Sequence, residues 1–121
     1  MRHTKLLEVA RNDQRYSYEA YEFLFQGLEH TQKLFGKHIP DDDLPTEEHH
    51  VNGSEITTGI IDLARREFGL LARVVFRQWG IHRTDDIGEL VYNLIEAGLL
   101  SKTDSDQKSD FHNLLNLERA L

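Results

Sequence analysis

Hydrophobic residues recur at intervals of three and four along most of this chain, which is the period of an α-helix. The pattern predicts five helices, near residues 5–12, 17–36, 52–69, 70–80 and 84–98. The sequence therefore predicts a mainly α-helical fold, a compact five-helix domain.

Capping residues mark the ends of these predicted helices. Ser17 and Thr84 are predicted N-caps, and Asn52 followed three residues later by Glu55 fits a capping box. Glycine adopts the left-handed backbone conformation that ends helices, and a glycine follows four of the five stretches. These glycines are Gly36, Gly69, Gly80 and Gly98. Each is expected to end or bend the helix before it.

The stretch from residue 70 to 79 is apolar on nearly every side. Only Arg73, Arg77 and Gln78 interrupt it. A helix that is apolar all round is usually buried in the middle of a fold. We therefore expect the other helices to pack around this one.

The C-terminal half has the outline of a winged helix, in which a recognition helix is followed by a β-hairpin wing. The predicted helix at 84–98 stands in the place of the recognition helix. After a polar run, residues 111–117 allow two interpretations. They pair with residues 99–102 as a small β-hairpin, or they form a helix capped by Asp110. We prefer the hairpin, which makes this half winged-helix-like.

Length and composition indicate one domain over residues 1–121, with a long acidic loop at about 37–51. The chain has no cysteine, which excludes disulfides, thiolate zinc sites and a cysteine nucleophile, and favours the cytoplasm. The first residues do not resemble a signal peptide, and the apolar runs are too short to span a membrane.

The acidic balance argues against a nucleic-acid partner. The formal net charge is −7, and the predicted recognition helix carries four acidic residues and no lysine or arginine between residues 84 and 101. Phosphate contacts require the opposite sign. We therefore interpret the acidic face of this helix as solvent-exposed or as a dock for a basic protein. The candidate docking residues are Asp85, Glu89, Tyr92 and Glu96.

Basic residues concentrate just before that helix. Between positions 65 and 83, five arginines and one glutamate give a net charge of +4. These arginines are candidates for binding an anion: Arg65, Arg66, Arg73, Arg77 and Arg83. The alternative is that they neutralise acidic helices packed beside them, while their aliphatic stems cover apolar surface.

Potential metal ligands gather in the acidic loop, where His38, His49 and His50 accompany several aspartates and glutamates. Their spacing matches no zinc or calcium motif, so a solvated acidic loop is the preferred interpretation. His82 precedes two aspartates, but no nucleophile motif accompanies it. No catalytic residue and no cofactor is predicted.

A resemblance to one family covers nearly the whole chain. The segments that carry it are Arg15-Tyr16-x-Tyr18-Glu19-Ala20-Tyr21-Glu22-Phe23, Thr31-Gln32, His50-Val51-x-Gly53, Phe68-Gly69, Trp79-Gly80-Ile81, residues 88–102 and Asp110-Phe111. In these segments the chain resembles a family of short uncharacterised bacterial proteins, conserved hypotheticals known from planctomycetes and verrucomicrobia. The resemblance implies a bacterial source and brings no activity or site residue with it.

Together these observations favour a non-enzymatic protein-interaction module of a bacterial cytoplasm. The first alternative is a nucleic-acid-binding regulator that uses the arginines. The second is a metal-dependent enzyme or sensor at the histidines of the loop. The pattern identifies no particular partner, substrate or oligomeric state.

Overall fold

The computed structural model describes residues 4–37 and 49–121. Over these residues the chain is mainly helical, as predicted, and none of them forms a β-strand. The helices are α1 (Thr4–Asn12), α2 (Tyr18–Leu34), α3 (Gly53–Phe68), α4 (Ala72–Gln78), α5 (Thr84–Glu96) and α6 (Leu117–Ala120). Two 3-10 turns, Gly69–Leu71 and Lys108–Phe111, lie between them. No helix in this described part is long and apolar enough to cross a membrane.

Most of the predicted ends of α2 and α3 are confirmed. Helix α2 begins directly after Ser17, although the Ser17 hydroxyl makes no capping hydrogen bond. The capping box of α3 is complete, because the Asn52 side chain accepts the Glu55 backbone N–H at 2.9 Å and the Glu55 carboxylate accepts the Asn52 N–H at 3.0 Å. Gly36 follows the end of α2 with a φ of 68°. Local sequence thus determines these boundaries.

Helices α2 and α3 cross in opposite directions at very short range. A Cβ added at Gly59 would lie 2.9 Å from the Thr31 Cα, and one added at Gly27 would overlap the Ile60 side chain. Thr31 is completely buried at this crossing, and its hydroxyl donates to the Gly27 carbonyl at 2.6 Å. The two glycines therefore allow the helix backbones to approach closely.

The prediction that residues 70–79 form the centre of the core is wrong. Helix α4 lies at one end of the α2–α3 pair and buries only Ala72 and Phe76. Gly69, at a φ of 54°, interrupts the helix after Phe68, and the 3-10 turn that follows buries none of its residues. The most deeply buried large side chains come instead from α2, α3 and α5, together with Tyr16 before α2 and Phe76. They include Tyr21, Leu24, Ile60, Ile87, Leu90 and Leu94.

The start of α5 is held by a different residue from the one predicted. Thr84 is the first residue of the helix and not its cap. Asp86 takes the capping role, since its carboxylate accepts the backbone N–H groups of His82 at 2.9 Å and Arg83 at 3.0 Å. The Tyr16 hydroxyl donates to the other Asp86 oxygen at 2.6 Å. The segment between α1 and α2 is thereby hydrogen-bonded to the start of α5.

The predicted end of α5 is confirmed. Gly98 has a φ of 76°, and its N–H donates to the Ile95 carbonyl at 3.0 Å. The Leu99 N–H donates to the Leu94 carbonyl at 2.9 Å. This pair of hydrogen bonds is the Schellman motif, which satisfies carbonyls that the helix itself leaves free.

The predicted β-hairpin is wrong, and without it the C-terminal half has no wing. Neither residues 99–102 nor residues 111–117 form a strand, and a continuous helix from Asp110 is absent as well. The segment after α5 forms turns, because the Asp106 carboxylate accepts the Thr103 N–H at 2.8 Å and the Asp110 carboxylate accepts the Gln107 N–H at 3.0 Å. These local hydrogen bonds compete with strand pairing.

In the buried part of its contact with α5, the tail, residues 101–121, packs through Phe111 and is hydrogen-bonded by Thr84. Phe111 is buried against Gly88, where an added Cβ would lie 2.8 Å from the Phe111 Cβ. The buried Thr84 hydroxyl donates to the Phe111 carbonyl at 2.7 Å and accepts the Leu114 N–H at 3.1 Å. The Thr84 hydroxyl thus satisfies one carbonyl and one N–H of the tail, which in the predicted hairpin would pair with residues 99–102.

We predict that Gly59→Ala destabilises the fold by about 1–3 kcal/mol, because the new methyl group meets the Thr31 backbone and forces α2 and α3 apart. Urea unfolding measures this change. The control is Thr58→Ala, an exposed position of the same helix, where a change within about 0.5 kcal/mol is expected. Equal stability of the two variants would contradict the close crossing.

We also predict that Thr84→Val costs about 1–3 kcal/mol, since the buried Phe111 carbonyl and the Leu114 N–H both lose their partner. Amide hydrogen exchange at Leu114 should become faster in this variant. Thr84→Ser keeps the hydroxyl and should retain the protection at Leu114. Unchanged exchange in Thr84→Val would show that the tail is held in another way.

Candidate functional site

Three neighbouring apolar side chains are exposed where α3 turns into α4. The relative exposure is 101% for Leu70, 64% for Leu71 and 46% for Val74. Val74 follows Leu70 by four residues and Leu71 by three, so the three side chains lie close together on one side of this helical segment. We call these three residues the α4 patch. Single exposed apolar residues are common, but a contiguous group is typical of an interaction site.

An aromatic cluster fixes α4 beneath this patch. The Phe76 and Trp79 rings stack with centroids 5.8 Å apart, and Phe23 contacts them at 5.9 Å and 5.3 Å. Phe68 completes the cluster, with its centroid 5.7 Å from that of Trp79. Because the inner side of α4 is anchored to both α2 and α3, its outer side has a defined position in the fold.

The arginines at 65–83 fall into two groups. Two of them are paired with carboxylates of the same chain: Arg66 with Asp62 at 2.8 Å, and Arg77 with Glu118 through two hydrogen bonds of 3.0 Å and 2.8 Å. The pair to Arg77 holds the pKa of Glu118 below its usual value. These two guanidinium groups are partly neutralised already.

The charges of the other three arginines are less compensated. Arg73 donates to the Leu121 main-chain oxygen at 3.4 Å and forms no ion pair with an aspartate or glutamate of the described residues. Arg65 and Arg83 are exposed and form no ion pair with any residue in the described ranges. The basic character that the sequence indicates is therefore retained mainly at these three positions.

The acidic residues predicted to dock a protein on α5 are largely occupied within the chain. Asp85 lies 2.7 Å from His112 and accepts the Asn113 N–H at 3.1 Å, and the hydrogen bond from His112 lowers its pKa. Glu89 pairs with Arg15 at 3.1 Å and Lys108 at 3.3 Å. Tyr92 lines an internal cleft, and Glu96 is exposed. A docking role for this set stays a prediction.

The histidines proposed as metal ligands are described only in part. His38 lies outside the described residues. His49 and His50 line a cleft, and the His50 Nε2 lies 2.6 Å from the Asp106 Oδ2 in an ion-pair contact that lacks the geometry of a hydrogen bond. The described ranges contain no group of three or more histidine, aspartate or glutamate residues arranged to hold a metal ion.

The cleft has a volume of about 660 Å³ and lies between α2, the start of α3, the end of α5 and the tail. Its lining is mainly apolar, with acidic and histidine side chains among the apolar ones. The apolar side chains include Phe25, Leu28, Ile56, Val91, Leu99 and Phe111. The cleft leaves no signal in the sequence, because its walls come from segments far apart in the chain.

A polar network lies next to the cleft, and of its members only His50 lines the cleft itself. The Lys37 ammonium donates to Glu55 at 2.8 Å and to the His50 carbonyl at 3.0 Å. Burial acts to raise the pKa of Glu55, but the hydrogen bonds from Lys37 and from the Asn52 backbone outweigh it and lower that pKa. The sequence indicates the capping role of Glu55, while its pairing with Lys37 depends on how α2 and α3 pack.

No family model, curated protein or solved structure matches the chain. The resemblance to a bacterial family therefore stays a prediction, and the interpretation of the surface and the cleft depends on their geometry.

We predict that Asp62 contributes to stability in a pH-dependent manner. Its hydrogen bond with His30 at 2.6 Å, followed by that with Arg66, lowers its pKa. Because the folded pKa is below the unfolded value of about 3.9, the contribution is complete above that value and is lost as pH falls through the folded pKa. Asp62→Asn should therefore lower the free energy of unfolding at pH 7 and flatten its fall below about pH 4.

Urea unfolding at pH values from 7 to 2 measures this dependence. Glu67→Gln is the matched control, since Glu67 lies on the same helix, is exposed and has no ion pair among the described residues. If Asp62→Asn and Glu67→Gln gave the same pH profile, the pairing of Asp62 would not contribute to stability.

Proposed function

We propose that this chain is a non-enzymatic protein-interaction module of a bacterial cytoplasm that binds an acidic, amphipathic segment of a partner protein at the α4 patch. The observation that supports this proposal best is the exposure of Leu70 and Leu71 in the 3-10 turn and of Val74 in α4, a helix whose other side is anchored. Burying one such side chain contributes about 1.5–3 kcal/mol, so a partner that covers all three has a substantial driving force.

The shape of the patch favours an apolar side chain of the partner as its main contact. Hot spots of interfaces are apolar or aromatic anchors surrounded by residues that exclude water. The Arg73 stem, which adjoins Val74 in the chain, and the Arg77 stem one turn later are suited to that surrounding role. Little rearrangement of α4 is needed on binding, because the aromatic cluster already fixes it.

The charge near the patch indicates the character of the partner. Arg73 lies within the patch sequence and Arg65 lies one turn before the end of α3, and neither forms an ion pair with an aspartate or glutamate of the described residues. Carboxylates at the rim of the partner's apolar face would complement these guanidinium groups. The proposed partner segment is therefore both apolar and acidic.

A nucleic-acid-binding regulator is less well supported by the same residues. Phosphate contacts need several unpaired basic groups on one surface, whereas Arg66 and Arg77 are bound to Asp62 and Glu118. An apolar patch in the middle of the basic segment also has no role in contacts with phosphates.

Two synthetic peptides test the proposed partner chemistry. Both form the same amphipathic helix with leucine at helical spacing, and they differ only in carrying glutamate or lysine on the flanks. We expect the full-length chain to bind the glutamate peptide in calorimetry and the lysine peptide at least tenfold more weakly. Replacing Leu70, Leu71 and Val74 by serine should abolish binding and change stability by only about 0.5 kcal/mol per exposed site.

A photo-crosslinking residue tests the proposal in cells. Placed at Leu71, it should give adducts with specific proteins, whereas the same residue at the exposed Glu22 of α2 should not. Equal adducts from both positions, or equal binding of both peptides, would contradict the proposal. Binding of duplex DNA that weakens steeply with salt and is lost in Arg65→Ala with Arg73→Ala would instead support the regulator.

A further inference from the structure

The cleft shares no residue with the α4 patch and has the features of a second, independent site. Its volume of about 660 Å³ falls within the range of about 300–1,000 Å³ that is usual for small-molecule sites. The side chains of Phe25, Leu28 and Ile56 on one wall and Val91 and Leu99 on the other suit a compact hydrocarbon or aromatic group.

Two polar atoms of the residues that line the cleft are buried without a hydrogen bond. They are the Tyr92 hydroxyl and the His50 Nε2, and only two other such side-chain atoms occur in the described residues. A buried polar atom without a partner costs about 1–3 kcal/mol, so each one calls for an explanation. His50 is compensated by its contact with Asp106, but Tyr92 has no polar partner among the described residues.

The charge of the cleft is negative. The carboxylates of Glu29, Asp106 and Asp110 line it, and no lysine or arginine of the described residues does. Glu29 is paired with Lys33 at 3.2 Å, so Asp106 and Asp110 carry most of the uncompensated charge. Asp106 and Asp110 each use Oδ2 to accept a backbone N–H of the tail, which fixes their orientation. Their Oδ1 atoms form no hydrogen bond within the described ranges.

From these observations we infer that the cleft binds a small organic cation with an apolar body and a protonated amine. The apolar body occupies the space between Phe25 and Val91. The ammonium group lies toward Asp106 and Asp110. The Tyr92 hydroxyl, which is closed off from solvent in this structure, turns toward the ammonium group so that its oxygen accepts one of the N–H groups. An amine is favoured over a neutral alcohol because Asp106 and Asp110 line the cleft, and over an acid because a further anion would be repelled.

Three probes of equal shape and different charge test this inference on the full-length chain. They are 2-phenylethylamine, 2-phenylethanol and 3-phenylpropionate. Titration followed by amide chemical shifts should show 2-phenylethylamine binding with shifts at Val91, Leu99 and Phe111. We expect the alcohol to bind at least tenfold more weakly and the carboxylate to give no shifts in the cleft.

Single-atom variants locate the contacts. Tyr92→Phe removes only the hydroxyl and should weaken binding of the amine about three- to tenfold, which corresponds to one hydrogen bond. Asp106→Asn with Asp110→Asn should weaken it tenfold or more. The matched control is Asp104→Asn, since Asp104 belongs to the same turn but does not line this cleft.

Several results would overturn the inference. These are equal binding of amine and alcohol, shifts outside the cleft, or the same loss in Asp104→Asn as in the double variant. Circular dichroism should confirm that each variant is folded. If the double aspartate variant disturbs the tail, Tyr92→Phe remains decisive, because it leaves the charge and the shape of the cleft unchanged.

Discussion

The close crossing of α2 and α3 determines where every other element can lie. Gly59 faces Thr31 and Gly27 faces Ile60, so the two helices meet with little side-chain volume between their backbones. That proximity brings His30 to Asp62 and Lys37 to Glu55, and it places Phe23 against Phe68. The aromatic end of the pair receives α4, while α2 from Phe25 onward and the start of α3 form one wall of the cleft. The candidate surface and the candidate cleft thus depend on the same helix pair but share no residue.

Sequence reasoning succeeded where the determining contacts are local. The capping box of Asn52 and Glu55 and the glycine end of α5 need only neighbouring residues, and both are confirmed. It failed where burial depends on distant partners. Leu70 and Leu71 belong to a stretch that is as apolar as a core helix. The turn at Gly69 nevertheless leaves both side chains exposed. Hydrophobicity alone cannot distinguish a core residue from an exposed apolar one.

The charged residues show the same distinction. The arginines between 65 and 83 were predicted as one group, yet Arg77 pairs with Glu118, which is 41 positions away. The cleft could not be predicted, because it combines Tyr92 of α5 with residues of the tail, whose Phe111 packs against Gly88. Local sequence predicts Thr84 as a helix cap, but its hydroxyl forms hydrogen bonds with residues 27 and 30 positions further along the chain. Pairing across such separations leaves no periodic signal in the sequence.

The seating of the tail has a thermodynamic consequence for the cleft. Asp106, Asp110 and Phe111 form one wall of the cleft, and all three belong to a segment without a long helix or a strand of its own. Opening of the tail would therefore remove that wall while α2, α3 and α5 remain packed together. Any molecule that occupies the cleft must then stabilise the closed tail by the same free energy with which the closed tail favours the bound molecule. Occupancy of the cleft and order in the C-terminal segment are two measurements of a single equilibrium.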